Sequence, residues 1–116
     1  MKLDVKELID KLLTRPTADE LKTVSSGLSA TTYTLSGNIS DYDLINIVAL
    51  TSYSNRFEIT IPTSVFSSST SQIYYAALGT EYNVYHLAVK YTSDTSITVQ
   101  AKGTGVNGMI VTGIKL

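Results

Sequence analysis

The sequence predicts a mainly β chain: an antiparallel β-sandwich, jelly-roll-like and of about seven strands, preceded by a short N-terminal α-helix. Three observations carry that expectation. After residue 30, apolar residues recur at alternate positions, the period of a strand with one buried face. Clusters rich in Ser, Gly, Asn and Asp interrupt the pattern at intervals of 8–15 residues, the spacing of an antiparallel sandwich. Charge is concentrated at one end. Residues 1–22 hold ten of the nineteen charged side chains, while the other 94 residues hold nine, against 28 Ser and Thr. A hydroxyl-rich, charge-poor β surface follows.

Residues 3–14 read as the helix. Val5, Leu8, Ile9, Leu12 and Leu13 fall at i, i+3, i+4, i+7 and i+8 and make one apolar stripe, with Lys2, Lys6, Glu7, Asp10 and Lys11 on the other side. Glu7 and Lys11 form an i,i+4 pair in the favourable order. Pro16 ends the helix, because a residue before proline is pushed out of helical geometry. A helix of about 12 residues is marginal alone, so the stripe needs a partner. Three are open: its own β domain, other copies in a helical bundle or attachment peg, and a membrane surface, which the balance of acidic and basic residues disfavours. Residues 17–29 read as a linker. Thr17 as N-cap and Glu20 at the capping-box position would add one helical turn before Ser25-Ser26-Gly27 breaks it. The expected organisation is therefore 1–16 attachment or oligomerisation helix, 17–29 linker and 30–116 β-sandwich.

The strands follow in order. Thr31, Tyr33 and Leu35 share a face of the first. The second, Asp41–Leu50, is the most apolar and β-branched run in the chain. Tyr42, Leu44, Val48 and Leu50 lie on one side with Asn46; Ile45, Ile47 and Ala49 lie on the other with Asp43. An antiparallel strand with a wet face alternates apolar and polar; this one does not, so its second face is expected to be covered by another part of the chain or by a neighbouring subunit. Arg56–Pro62 alternates cleanly, with Phe57, Ile59 and Ile61 inward, and Pro62 closes it. Val65-Phe66 reads as a buried tuck before the polar loop Ser67–Ser71. Ile73–Leu78, Tyr82–Tyr91, Thr95–Ala101 and Met109–Lys115 complete the set.

Composition excludes several classes of function. At 116 residues the chain has room for one modest core, and a net charge of −1 provides no basic field for nucleic acid. With no cysteine there is no disulfide framework, thiol nucleophile or Cys-based metal site. No apolar run is long enough to span a membrane, and the charged N-terminus does not read as a signal peptide. Export is expected to depend on lysis or on assembly into a larger particle.

No catalytic, cofactor or metal signature emerges. His86 is the only histidine, lies mid-strand, and reads as structural. Asp41 and Asp43, at i,i+2 on a strand, would share a face about 6–7 Å apart, a separation that paired glycosidase carboxylates use; solvation and turn capping are the commoner role. Asn38-Ile39-Ser40 is a formal glycosylation acceptor. Gly103–Gly108 precedes a strand rather than a helix, so it is no phosphate cradle. Eight tyrosines without a tryptophan are the most notable remaining feature. Tyr is amphipathic and suits strand packing, interfaces and sugar faces alike.

Two pieces of sequence carry a family resemblance. Val5-Lys6-Glu7-Leu8-Ile9-Asp10-Lys11-Leu12-Leu13-Thr14-Arg15-Pro16 is similar to a short leader found on small phage structural proteins. Ile39–Ile45, Ile59–Pro62, Val89–Ile97 and Ile110–Lys115 look like the distal β domain of tail fibres. They are spread over most of the length of the chain, from Val5 to Lys115, and the chain resembles the small fibre or spike proteins of tailed bacteriophages and prophages. The resemblance implies a virion structural protein: a homotrimer, made in the bacterial cytoplasm, that contacts host surface glycans. It implies that the N-terminal helix serves trimerisation or attachment to other virion proteins. A 12-residue helix leaves almost no shaft, which favours a short spike, a head fibre or a capsid decoration as much as a tail fibre. No cofactor, nucleic acid or membrane insertion is expected. The alternatives are a decoration protein without receptor binding and a free carbohydrate-binding module; such modules usually expose Trp, which is absent here. If seven strands each traverse the domain, turns 36–41, 63–72 and 92–94 lie far from the helix. Asn38, Ser40, Asp41, Ser68, Ser69, Gln72 and Asp94 would then face a receptor, and loops 51–55, 79–81 and 102–108 would face the particle.

Overall fold

In the computed structural model, which describes Val5, Lys6 and residues 17–116, the alternating segments become eight strands. They are β1 (Thr17–Val24), β2 (Thr32–Thr34), β3 (Leu44–Thr51), β4 (Arg56–Pro62), β5 (Tyr74–Gly79), β6 (Val84–Ser93), β7 (Ser96–Lys102) and β8 (Val106–Lys115). All pairings are antiparallel. One sheet has the order β1-β8-β3-β4 and the other β2-β7-β6-β5; we call them sheets A and B. Between β4 and β5 the chain changes sheet through a single helical turn, α1 (Thr63–Phe66), and a 3-10 turn at Ile39–Asp41 leads into β3. A jelly roll wraps paired strands so that successive hairpins cross between sheets. Here β1·β8 and β2·β7 nest in that manner, but β3·β4 stay within sheet A and β5-β6-β7 form a meander within sheet B.

The core is built from the inward parity of each strand. Ile45, Ile47 and Ala49 of β3 and Met109 and Val111 of β8 face Tyr85, Leu87 and Val89 of β6 and Ile97 and Val99 of β7, all buried. Each Ile, Leu, Val or Met among them contributes about 1.5–3 kcal/mol by leaving water. Phe66 of α1 plugs the side between β4 and β5 and packs against Tyr74 and Tyr91, with ring centroids 5.4 and 5.9 Å away.

The strand count is corrected from seven to eight, because Thr17–Val24 is not a linker, and its N-terminal part is not a helical turn. It pairs with β8 from Thr17↔Lys115 to Val24↔Met109. Only Leu21 is buried along it, because β1 is an edge strand. Asp19, Glu20 and Lys22 guard it, and a bulge between Glu20 and Lys22 breaks its register; charges and bulges are how edges avoid unwanted pairing. The expected helix over residues 3–14, with Leu8, Ile9, Leu12 and Leu13, lies outside the described residues; Val5 is described and is exposed.

Tyr42 ties the entry of the chain to its exit. Its ring lies on Gly113 of β8, where an added Cβ would stand 2.5 Å from Tyr42 Cγ. Its hydroxyl donates to Asp19 Oδ2 of β1 at 2.8 Å, and Lys115 Nζ sits 5.5 Å from the ring centroid. A bare glycine in a strand, covered by an aromatic ring, lets three strands close around one side chain. Asp43 adds a second tie: its N–H donates to the Ile114 carbonyl at 2.8 Å and its Oδ2 accepts the Leu116 N–H at 2.8 Å.

Two outcomes are expected. Gly113→Ala displaces the Tyr42 ring and lowers stability by about 1–3 kcal/mol, the usual cost of overpacking, measured by urea denaturation. A chain beginning at Thr17 keeps cooperative unfolding, whereas one beginning at Gly27 loses β1 and with it the cooperative transition.

Candidate functional site

The nominated carboxylates lie in the segment that leads into β3 rather than within the strand. Asp41 closes the 3-10 turn, donating its N–H to the Asn38 carbonyl at 3.1 Å, while the Asp43 carboxylate receives the C-terminal Leu116 N–H. The two therefore do not sit side by side on a strand, and Asp41 is part of a turn rather than of β3. His86 is exposed on the outward side of β6, its ring against Gly103. Among the described residues, no three His, Cys, Asp or Glu side chains come together as metal ligands would. None of the described helices is long and apolar enough to cross a membrane.

The nominated receptor loops do gather at one end. Ser40 donates its N–H to Asp94 Oδ1 at 2.9 Å and its hydroxyl to Asp94 Oδ2 at 2.7 Å, and the Ile39 N–H donates to the Asp94 carbonyl at 2.7 Å. Loop 36–43 is thereby clamped to the β6–β7 turn. Asn38, Ser40 and Asp41 are exposed and Asp94 is half-buried. α1 joins this end through Thr63, whose N–H donates to the Asp43 carbonyl at 3.0 Å and whose hydroxyl donates to the Tyr42 carbonyl at 2.5 Å. Ser68, Ser69 and Gln72 lie in the loop that follows α1, where the Ser69 hydroxyl accepts the Ser71 N–H at 3.0 Å. The grouping of 36–41, 63–72 and 92–94 is as expected, but its place relative to the N-terminus is not. Thr17 pairs with Lys115, beside Leu44↔Ile114 and Leu44↔Pro62. Residues 1–16 therefore join the domain at the same end as these loops. The unforeseen β1 adds one traverse and reverses the polarity. The end remote from the junction carries loops 25–31, 51–55, 80–83 and 103–105.

The two outer faces differ in chemistry. On sheet B, cross-strand hydroxyls form a ladder: Thr98 Oγ1 lies 2.8 Å from Thr32 Oγ1 and 2.5 Å from Thr92 Oγ1, and Ser93 and Ser96 meet at 2.7 Å. These hydroxyls cover the β2–β7 side of the face; on its β5–β6 side Tyr75 and Val84 are exposed. On sheet A, registers Leu44↔Ile114 and Val48↔Ile110 place apolar pairs on the outward side of the two central strands, with Leu50 beyond them. These residues are half-buried and stand outside the packed core. Asn46 and Thr112 interrupt the patch at one cross-strand position; Asn46 Nδ2 is held by Glu58 Oε2 at 2.8 Å and Thr60 Oγ1 at 2.9 Å. The expectation that the second face of β3 is covered is thus not met within the described chain.

Two features escaped the sequence reading. One is the continuation of the β3 patch onto β8, which needs the register between strands distant in sequence. The other is that Tyr53 and Tyr82 are held in solvent while Tyr85 is buried; residue type alone does not separate them. No family model matches the chain, and comparison with curated proteins gives no match either.

The hydrogen bond to Asp19 raises the Tyr42 phenol above its usual 10.0, partial burial adds to this, and the negative charges of Asp19 and Asp41 push the same way. A raised folded pKa stabilises fully below the unfolded value, and the contribution is lost as pH climbs through the folded one. Stability should therefore fall above pH 10, and Tyr42→Phe should lose less over that range, as followed by urea midpoints.

Proposed function

We propose that this protein is a virion structural protein, a short trimeric fibre or spike of a tailed bacteriophage or prophage. Residues 1–16 attach or trimerise it, and the β domain contacts host surface glycans. The observation that carries the reading is the apolar outer face of sheet A, set against the hydroxyl-rich outer face of sheet B. The two central strands, about 4.8 Å apart and about 3.3 Å per residue, give the apolar part roughly 250 Å2 of flat area, flanked by the polar outward residues Glu20 and Thr23 of β1 and Arg56, Glu58 and Thr60 of β4, so it is the centre of a larger contact rather than a whole standard interface. Around a three-fold axis, each copy's patch meets its neighbours and closes without leaving an open edge. The Val5, Leu8, Ile9, Leu12 and Leu13 stripe is proposed to serve the same assembly; residues 1–16 are joined to sheet A through Thr17.

Little in the described residues supports chemistry. The proposed role is binding and structural rather than enzymatic: His86 is the one histidine of the chain and the Asp43 carboxylate is taken up by the Leu116 N–H. The protein is proposed to reside on the virion after release by host lysis. Two alternatives make different predictions: a capsid decoration protein would be a trimer without glycan binding, and a free carbohydrate-binding module would be a monomer with it.

Charged residues on the patch test the reading. Light scattering coupled to size exclusion should give a mass near three chains for the full-length protein. Val48→Asp combined with Ile110→Asp should reduce it to one chain, while circular dichroism stays that of a β protein. A wild-type monomer would overturn the trimer.

A further inference from the structure

We infer that the end of the domain remote from Thr17 is an oligosaccharide-binding surface, with Tyr53 and Tyr82 as its two aromatic platforms. This rests on the reading that residues 1–16 attach the protein, which leaves that end pointing outward.

Two turns build the surface in the same way. In the β3–β4 connection, Thr51 Oγ1 accepts the Asn55 N–H at 3.0 Å and the Tyr53 N–H at 3.4 Å, and the Thr51 N–H donates to the Asn55 carbonyl at 3.1 Å. In the β5–β6 turn, Thr80 Oγ1 accepts the Asn83 N–H at 3.0 Å, and the Thr80 N–H donates to the Asn83 carbonyl at 2.7 Å. Each turn is stapled by a threonine at its first position, and each holds a tyrosine in solvent: Tyr53 is 71% exposed and Tyr82 85%. Five of the other six tyrosines are buried or half-buried. A ring on a fixed turn loses little freedom when a ligand stacks on it, so the backbone ordering is already complete before binding. The β3–β4 turn is further braced by the Ser52 N–H, which donates to the Gly105 carbonyl at 2.9 Å.

Backbone strain marks the same turn. Ser54, at φ 66°, is the one non-glycine residue with positive φ among those described. Left-handed geometry is costly for a residue with a Cβ, and such outliers concentrate where a site requires them. An open depression of about 330 Å3 is lined by residues that flank Tyr53 in this turn, Thr51, Ser54, Asn55 and Arg56, together with Ser25 and Leu50. Its hydroxyl, amide and guanidinium groups donate and accept hydrogen bonds in many directions. An aromatic ring for C–H groups and polar side chains for hydroxyls complement the two kinds of group that a pyranose presents.

The test is binding of the full-length protein to an array of defined pyranose oligosaccharides and purified bacterial O-polysaccharides. Tyr53→Ala and Tyr82→Ala should each weaken binding at least tenfold with the mass in solution unchanged. Tyr75→Ala, exposed on sheet B, and Ser40→Ala, at the entry end, should leave it intact. Loss on Ser40→Ala with retention in both tyrosine variants overturns the inference, as does a wild-type protein that binds nothing on the array. A trimer that binds nothing leaves the structural role standing; a monomer that binds through Tyr53 and Tyr82 removes the trimer and keeps the surface.

Discussion

Two adjacent strands with apolar residues on both faces constrain everything else in this molecule. β3 and β8 lie side by side in the middle of sheet A. Their inward residues, Ile45, Ile47, Met109 and Val111, are buried against sheet B. Their outward residues, Leu44, Val48, Leu50, Ile110 and Ile114, are only half-buried. A two-layer sandwich can bury one face of each sheet, so the second apolar face needs a third layer that the described chain does not supply. Sheet B shows the ordinary solution, with Thr32, Thr92 and Thr98 outward over a buried Ile97 and Val99. The two-sided apolar character of β3 and β8 is the physical basis for the proposal that the chain is one subunit of an assembly.

The direction of the proposed assembly depends on β1. With residues 17–24 in sheet A, the chain enters at the end that holds its own C-terminus, clasped by Tyr42 through Gly113 and Asp19 and by Asp43 through Leu116. Loops 36–43 and 62–73 and the β6–β7 turn crowd that same end. The opposite end is left with four short connections, two of them stapled by threonine and tipped by exposed tyrosine. If residues 1–16 hold the protein to a particle, the crowded end is the base and the sparse end is the tip.

Much of this was legible in the sequence. β4 announces itself because Phe57, Ile59 and Ile61 alternate with charged and hydroxyl residues and Pro62 stops the run. The two-sided character of β3 was readable because ten consecutive residues lack a polar face. β1 was not legible for a physical reason: an edge strand buries little, so Leu21 alone carries the core signal, and the bulge after Glu20 shifts its phase. That one omission reversed the inferred polarity of the loops, although their grouping by parity was correct. Ser40 and Asp94 were both named, and the structure joins them, but as a structural clamp between loops. Tyr82 and Tyr85 are three residues apart, one in solvent and one in the core; only the position of the turn distinguishes them.

The central claim is that the outward face of β3 and β8 is covered in the assembled protein. The chain has no cysteine, so a single introduced thiol reports on one position without background. Thiol labelling rates of Val48→Cys and Thr98→Cys should be compared over a dilution series, since the two positions are half-buried alike in the single chain. The account predicts that Val48→Cys reacts at least tenfold more slowly than Thr98→Cys at high concentration, and approaches it on dilution as subunits separate. Equal rates at every concentration would contradict it.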